Sequence, residues 1–221
     1  RETHGHRSAE YVGSHDGNPQ WEVAGTNIAY LVAELCESHV KSAFNLTPAN
    51  GFYHDQSVGA YKVNMPYLGL VLRLADILDF DRERTPDALY RTIHFTSNVS
   101  LVEWEKHRSV EGWEISPKTV RFDMRCEHPI YERAAREFMG WIDDELAAAQ
   151  TVVKGFPSGF QEYKFDLPLR TDVSRIKAKD DAYIYHDLEF SLSRDEVVKL
   201  LMMEKLYQSP SLSVRELLQN A

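Results

Sequence analysis

The stretch from residue 66 to residue 80 constrains the fold more than any other part of the chain. Its aliphatic side chains point in almost every direction around a helix: Leu68, Leu70, Val71, Leu72, Leu74, Ala75, Ile77 and Leu78. A helix that is apolar on all sides lies at the centre of a domain. Arg73 and Asp76 interrupt this pattern, and burying an unpaired charge costs several kcal/mol. The sequence therefore predicts a central helix whose two charged residues are paired or bound to a metal ion.

A second helix is predicted over residues 27–39. Its apolar residues recur at helical spacing: Ile28, Leu31, Val32, Leu35 and Cys36. His39 continues this stripe, so its imidazole is expected at the buried end of the helix. Residues 40–64 are polar, contain Pro48, Gly51 and Gly59, and are predicted to form a long connection.

The hydrophobic period changes from about residue 109. Alternation in residues 120–126 predicts a half-buried strand, paired with residues 109–115 across a turn at Ser116 to Lys118. Pro129 then begins a long amphipathic helix. The stretch from 155 to 159 is interpreted as a linker, and a further strand is predicted around residues 183–190.

Composition narrows the classes of partner. The formal net charge is −9, which disfavours binding to a phosphate backbone, so no nucleic acid is expected. No apolar run is long enough to span a membrane. Cys36 and Cys126 lack paired spacing, which is typical of reduced thiols, so a cytoplasmic location is expected. The chain begins without Met and ends inside an apolar helical pattern, so we expect a piece of a longer protein.

Three segments carry candidate chemistry: His4-x-x-Arg7-Ser8, Ser38-His39, and LRLADILD at residues 72–79. Over residues 1–85 they resemble HD-domain proteins, a superfamily of helical metal-dependent phosphohydrolases. The resemblance implies that histidines and aspartates on converging helices bind divalent metal, which polarises a phosphoryl oxygen and activates water. It implies Asp76 as a metal ligand, with His4 and His39 in the same pocket.

The same resemblance calls for a His-Asp doublet on an apolar helix. The two doublets in this sequence, His15-Asp16 and His54-Asp55, lie among Gly, Asn, Ser and Gln residues in predicted loops. We expect the true doublet to lie upstream of Arg1 or to be lost, and this chain alone to have weak or no phosphohydrolase activity. In the alternative interpretation, Asp76 is a structural acid paired with Arg73 or a histidine.

The C-terminal segment carries a second set of candidate residues. It reads EVVKLL from residue 196, then Leu206-Tyr207, then RELLQNA at residues 215–221. Residues 190–221 resemble the start of the ATP-binding domain of GHKL ATPases, closest to the chaperone branch. The resemblance implies that Glu216 is catalytic, positioning the attacking water, and that Asn220 ligates the Mg²⁺ ion of bound ATP. The alternative is an amphipathic helix in which Glu216 only completes a capping box with Ser213.

Together these patterns predict an α+β fold that is mainly α. We predict an HD-like helical domain at residues 1–90, a β-hairpin and helix extension at 91–156, and a linker with the first GHKL helices at 157–221. The resemblances imply a bacterial, ATP-dependent, chaperone-like protein carrying an HD domain, with ATP, a client protein and a second copy as partners. The alternatives are a metal-dependent HD phosphohydrolase of nucleotides or phosphate esters, and a non-catalytic binding module.

Overall fold

Helix α3 (Met65–Leu78) lies at the centre of the fold, as its sequence predicts. Asn64 caps its start, because the side-chain oxygen accepts a hydrogen bond from the backbone N–H of Tyr67 at 3.0 Å. Its buried face includes Leu70, Leu74 and Ile77, each at most 8% exposed. Burial is not all-round, however. Leu68 and Val71 are 38% and 41% exposed, so one side of this helix faces solvent.

The computed structural model describes the backbone of residues 2–187 and the side chains of residues 4–187. The helices in this part of the chain are α1 (Glu2–Ser14), α2 (Ala29–Ser38), α3, α4 (Asp87–Tyr90), α5 (Asn98–Arg108) and α6 (Pro129–Lys154). The strands are β1 (Glu22–Val23), β2 (Thr26–Asn27), β3 (Gln56–Val58), β4 (Tyr61–Val63), β5 (Val110–Ile115), β6 (Thr119–Cys126), β7 (Arg170–Asp172) and β8 (Ile176–Ala178). The fold is α+β with more helix than strand, in agreement with the predicted class.

The predicted hairpin is present as strands β5 and β6, which pair antiparallel. Side chains on β6 alternate between the core and the partly exposed face. The core-facing residues are at most 1% exposed: Val120, Phe122, Met124 and Cys126. Helix α6 covers this face with Met139, Ile142 and Leu146, which are equally buried. The period-2 pattern thus gives a sheet with one face on a helix.

Two elements of the sheet were not predicted. Strands β7 and β8 both pair parallel to β6, and they complete a four-stranded sheet. The strand predicted around residues 183–190 is wrong for residues 183–187, which are in no strand. The rest of that segment lies outside the described residues.

The region predicted as a long connection, residues 40–64, has more regular structure than expected. It contains two short 3₁₀ turns (Ala43–Asn45 and Pro48–Asn50) and the β3–β4 hairpin. Gly59 lies in the turn of this hairpin with φ of +56°, a conformation that glycine adopts at no steric cost. Short turns of this kind leave little hydrophobic periodicity in the sequence, so the pattern could not reveal them.

One buried cluster joins the helical and hairpin parts of the molecule. It includes residues from Leu31 to Ile176, and residues up to Tyr185 form a single unit. The domain boundaries predicted at residues 90 and 156 stay a prediction, and the packing joins the segments on either side of them. None of the helices within residues 2–187 combines the length and the apolar character needed to cross a bilayer.

Candidate metal centre

Gly5 allows helices α1 and α2 to approach very closely. A Cβ atom added to Gly5 would lie 2.7 Å from the carbonyl oxygen of Cys36 and 2.8 Å from Cγ1 of Val40. Real Cβ atoms do not make contacts this short, so only glycine fits at this crossing. The neighbouring residue in α1 is His4. The close crossing therefore brings the imidazole of His4 to the end of α2, where His39 is located.

Three candidate ligands converge from three helices. His4 is on α1, His39 is the residue that ends α2, and Asp76 is on α3. The Nε2 atoms of His4 and His39 are 2.6 Å apart, and Nε2 of His4 is 3.6 Å from Oδ1 of Asp76. One ligand atom from each residue lies within 4.8 Å of the other two. The structure thus brings together the three residues that the sequence assigned to one pocket.

The spacing of these atoms fits a divalent cation with a small adjustment. Ligand atoms at about 2.1 Å from a metal, separated by angles of about 90–109°, lie roughly 3.0–3.4 Å apart. The distance from His4 to Asp76 is already close to that range at 3.6 Å. The imidazole rings would have to separate by only about 0.4–0.8 Å to reach the same spacing. Two imidazoles and a carboxylate are a donor set suited to Zn²⁺, Mn²⁺, Fe²⁺ or Co²⁺.

Burial and charge keep the imidazole of His39 suited to binding a cation. Burial lowers the pKa of His39, the carboxylate of Asp76 raises it, and His4 lowers it again, so that the net direction is down. A lowered pKa favours the neutral ring, which is the form that binds metals. The pocket is open to solvent, because the side chains of His4 and Asp76 are 39% and 29% exposed. The candidate site is therefore accessible from solvent.

Neither His-Asp doublet contributes to this pocket. The Nδ1 atom of His15 lies 2.9 Å from the carbonyl oxygen of Tyr11, and its ring stacks on the same tyrosine. His54 stacks on Phe160 and meets Phe156 edge-on. Among the side chains of residues 4–187, the cluster of His4, His39 and Asp76 is the only group of three potential metal ligands within this spacing. Both doublets lie in turns and not on an apolar helix, in agreement with the loops predicted for them.

The guanidinium of Arg73 is engaged elsewhere in the core. It forms a two-pronged ion pair with Glu145 of α6, with distances of 2.6 Å and 2.8 Å. It also donates to the backbone carbonyl oxygens of Ser38 and Lys41. The sequence indicated that Arg73 needs a partner, and a carboxylate 72 positions away along the chain provides it.

Sequence reasoning missed Gly5 and Glu145 as supporting residues. A glycine inside a helix costs about 1 kcal/mol relative to alanine, so its presence beside His4 was a usable signal for a close contact. No comparable signal marks Glu145, because charged residues are common on amphipathic helices. Glu216 and Asn220, predicted to act on water and Mg²⁺ in an ATP site, lie outside the described residues.

Comparison with known families settles the class of the domain. A family model described as HD-CE matches residues 1–148, about two thirds of the chain. The chain belongs to the HD-CE family. The match includes all three helices of the candidate metal centre, and it continues through the β5–β6 hairpin into α6. An HD-type domain is therefore present in this HD-CE chain.

Two other comparisons gave no relatives. No curated protein matches this HD-CE chain. No solved structure matches it either.

Proposed function

We propose that this HD-CE chain binds a divalent metal ion through His4, His39 and Asp76, and that the site serves hydrolysis at the phosphorus of a nucleotide or another phosphate ester. The observation that carries the proposal is the convergence of three ligand atoms within 4.8 Å from three separate helices. These residues are distant in sequence, and they meet inside the segment that matches an HD family.

The chain's own residues have distinct tasks in this proposal. His4 and His39 offer neutral nitrogen donors, and Asp76 offers the negative charge that offsets part of the charge of a cation. Three protein ligands leave positions open for water and substrate, as in catalytic rather than structural metal sites. When bound, the ion would lower the pKa of a water molecule and polarise a phosphoryl oxygen.

We expect hydrolysis by this chain alone to be slow. The residues described here bring no His-Asp doublet and no second carboxylate into the pocket. With so few ligands, metal binding should be weaker and water activation less complete than in a site with a full ligand set. Metal binding is therefore the more direct test of the proposal than turnover.

The test is a Co²⁺ or Mn²⁺ titration of the wild-type chain and of two aspartate variants. Asp76→Asn should weaken binding by about tenfold or more, because a neutral amide replaces an anionic ligand. Asp79→Asn is the matched control, since Asp79 lies in the same LRLADILD segment but pairs with Arg84 at 3.0 Å. It should leave affinity unchanged. Equal affinity of the wild type and Asp76→Asn would refute the metal site.

A second proposal concerns the C-terminal segment. The ordered pattern of EVVKLL, Leu-Tyr and RELLQNA supports an ATP-binding domain of the GHKL type. If this segment begins a GHKL-type domain, the HD domain belongs to an ATP-dependent protein, with Glu216 as the catalytic residue and Asn220 as a Mg²⁺ ligand. This proposal rests on sequence alone.

A further inference from the structure

A buried arginine connects three helices beside the candidate metal centre. Arg73 of α3 has a side chain only 7% exposed, and its partner Glu145 of α6 is 14% exposed. Nε of Arg73 donates to Oε1 of Glu145, and Nη2 donates to Oε2. Two parallel charge-assisted hydrogen bonds fix the plane of a guanidinium more strictly than a single bond does. The carboxylate of Glu145 thus determines where the remaining N–H groups of Arg73 point.

Those N–H groups point at the end of helix α2. Nη1 of Arg73 donates to the carbonyl oxygen of Ser38 at 2.8 Å and to that of Lys41 at 2.5 Å. The last carbonyl groups of a helix have no partner within the helix, so an arginine placed there stabilises the helix end. His39 lies between these two residues in the chain. The guanidinium therefore holds the backbone on both sides of a candidate ligand.

Helix α3 supplies both this contact and a ligand. Arg73 and Asp76 are three positions apart, so they share one side of the helix. Asp76 approaches the site directly, while Arg73 fixes the segment that carries His39. The spacing between these two ligands is thus set by a single rigid helix, provided that Glu145 keeps Arg73 in its orientation.

We propose that Arg73 and Glu145 act as a positioning pair, which holds His39 at the distance from His4 and Asp76 that a divalent ion requires. The inference rests on the proposed metal-binding function, and it adds helix α6 as a support of the site. Neither residue is among the three candidate ligands. Supporting residues outside the ligand set commonly change metal affinity by about 10–100-fold when they are replaced.

The experiment compares three variants with the wild type by Co²⁺ titration, followed through the visible spectrum of the bound ion. Glu145→Gln keeps the side-chain volume but loses the negative charge. Arg73→Lys keeps the positive charge but loses the two parallel hydrogen bonds of the guanidinium. Both should weaken Co²⁺ binding by about tenfold or more. The double variant Arg73→Met with Glu145→Met removes the ion pair without leaving one buried charge unpaired, so we expect it to remain folded, which its thermal unfolding checks. It should bind Co²⁺ as weakly as the single variants.

Glu132→Gln is the matched control. Glu132 is a buried carboxylate on the same helix, and it pairs with Arg136, which also donates to a backbone carbonyl, that of Ile176. That network ends in strand β8 and not at α2. Glu132→Gln should therefore change thermal stability but not the affinity for Co²⁺ or its spectrum.

A measurement on the metal-free chain separates this inference from the metal-binding proposal. In histidine-labelled protein, a nuclear Overhauser contact should join the ring protons of His4 and His39, whose ring centroids are 4.6 Å apart. The contact should persist in Glu132→Gln and disappear in the three Arg73 and Glu145 variants. If it persists in those variants, or disappears in Glu132→Gln as well, the positioning role is refuted. Failure of the wild type to bind Co²⁺ would instead refute the metal site.

Discussion

The 2.6 Å distance between Nε2 of His4 and Nε2 of His39 limits the protonation states that this pair can hold. Two N–H groups cannot face each other at that distance, so at most one of these two nitrogens carries a proton. In the metal-free state one ring donates and the other accepts. A cation bound to both Nε2 atoms would take the place of that proton, and the ring that carried it would stay neutral by holding its proton on Nδ1. Metal binding through both Nε2 atoms therefore requires a change of tautomer in one ring, with no net release of a proton from a neutral pair.

His107 gives a pH dependence of stability that is separate from the metal centre. Its ring lies against Phe80, and its Nδ1 atom is buried without a hydrogen-bond partner. Burial lowers the pKa of His107, and the neighbouring charge of Lys106 lowers it further. Below a pH of about 6.5 the unfolded chain takes up a proton that the folded chain resists. The free energy of unfolding should therefore fall as the pH decreases through and below this value.

The variant His107→Gln should make that decrease shallower. The His107 side chain contributes less than about 1.4 kcal/mol per pH unit to the slope of the free energy of unfolding against pH, which is the limit for one proton. His39, whose pKa is also lowered, contributes in the same direction and remains in both proteins. Urea unfolding between pH 5.5 and 7.5, a range of about one unit on each side of the histidine value, measures the slope. The control variant is His94→Gln, at an exposed position. An equal slope in the wild type and in His107→Gln would contradict the prediction.

At the scale of elements, the crossing of α1 and α2 depends on Gly5. Gly5→Ala should destabilise the chain by about 1–3 kcal/mol, because the added methyl group meets a backbone oxygen that cannot move aside. It should also weaken Co²⁺ binding, because His4 is displaced from His39. Urea unfolding and the Co²⁺ titration measure the two effects.

Gly13→Ala is the matched control on the same helix. A Cβ atom at Gly13 has no neighbour within 4 Å, so the substitution should only gain helix propensity. We expect an increase in stability of up to about 1 kcal/mol and unchanged Co²⁺ binding. If both substitutions stabilise the chain equally, the close crossing is not a constraint on this fold.

The helices and strands differ in how well the sequence pattern predicts them. Helices α2 and α3 and the β5–β6 hairpin each have a strong internal period, and their bounds were predicted within a few residues. For α6 the start at Pro129 was predicted, but not the end at Lys154. Strands β7 and β8 are three residues each, and they are defined by pairing with β6 roughly 50 positions earlier. Three residues are too few for a period to be detected. Short motifs indicated the three candidate ligands that the structure brings together, whereas Arg73 and Glu145 pair across 72 positions and no local pattern indicates that contact.

At the scale of the whole molecule, the site is not the property of the first three helices alone. The candidate ligands come from residues 4–76, but Arg73 depends on Glu145, far along the chain in α6. The HD-CE match to residue 148 ends just beyond that glutamate. The matched region therefore contains both the candidate ligands and the helix that carries Glu145, the partner of Arg73. This arrangement could not be predicted from sequence, because any of several acidic residues on α6 could have paired with Arg73.

The proposed ATP-dependent function also concerns the whole molecule. It predicts different phenotypes for substitutions at Glu216 and at Asn220. In the protein that contains the complete ATP-binding domain, Glu216→Ala should leave ATP binding nearly intact. Hydrolysis should fall by about 100-fold or more, because the glutamate acts on the attacking water and not on the bound nucleotide. Asn220→Ala should instead weaken Mg²⁺-dependent ATP binding, because it removes a ligand of the ion. Steady-state turnover and equilibrium binding of a fluorescent ATP analogue distinguish the two.

Gln219→Ala is the control for both substitutions. It changes a polar residue of the same RELLQNA segment to which the resemblance assigns no role, so binding and turnover should both match the wild type. Suppose that Glu216→Ala and Asn220→Ala lower thermal stability alike while ATP turnover is unchanged or never present. Residues 190–221 would then be only an amphipathic segment, and the metal centre of the HD domain would remain as the single candidate activity.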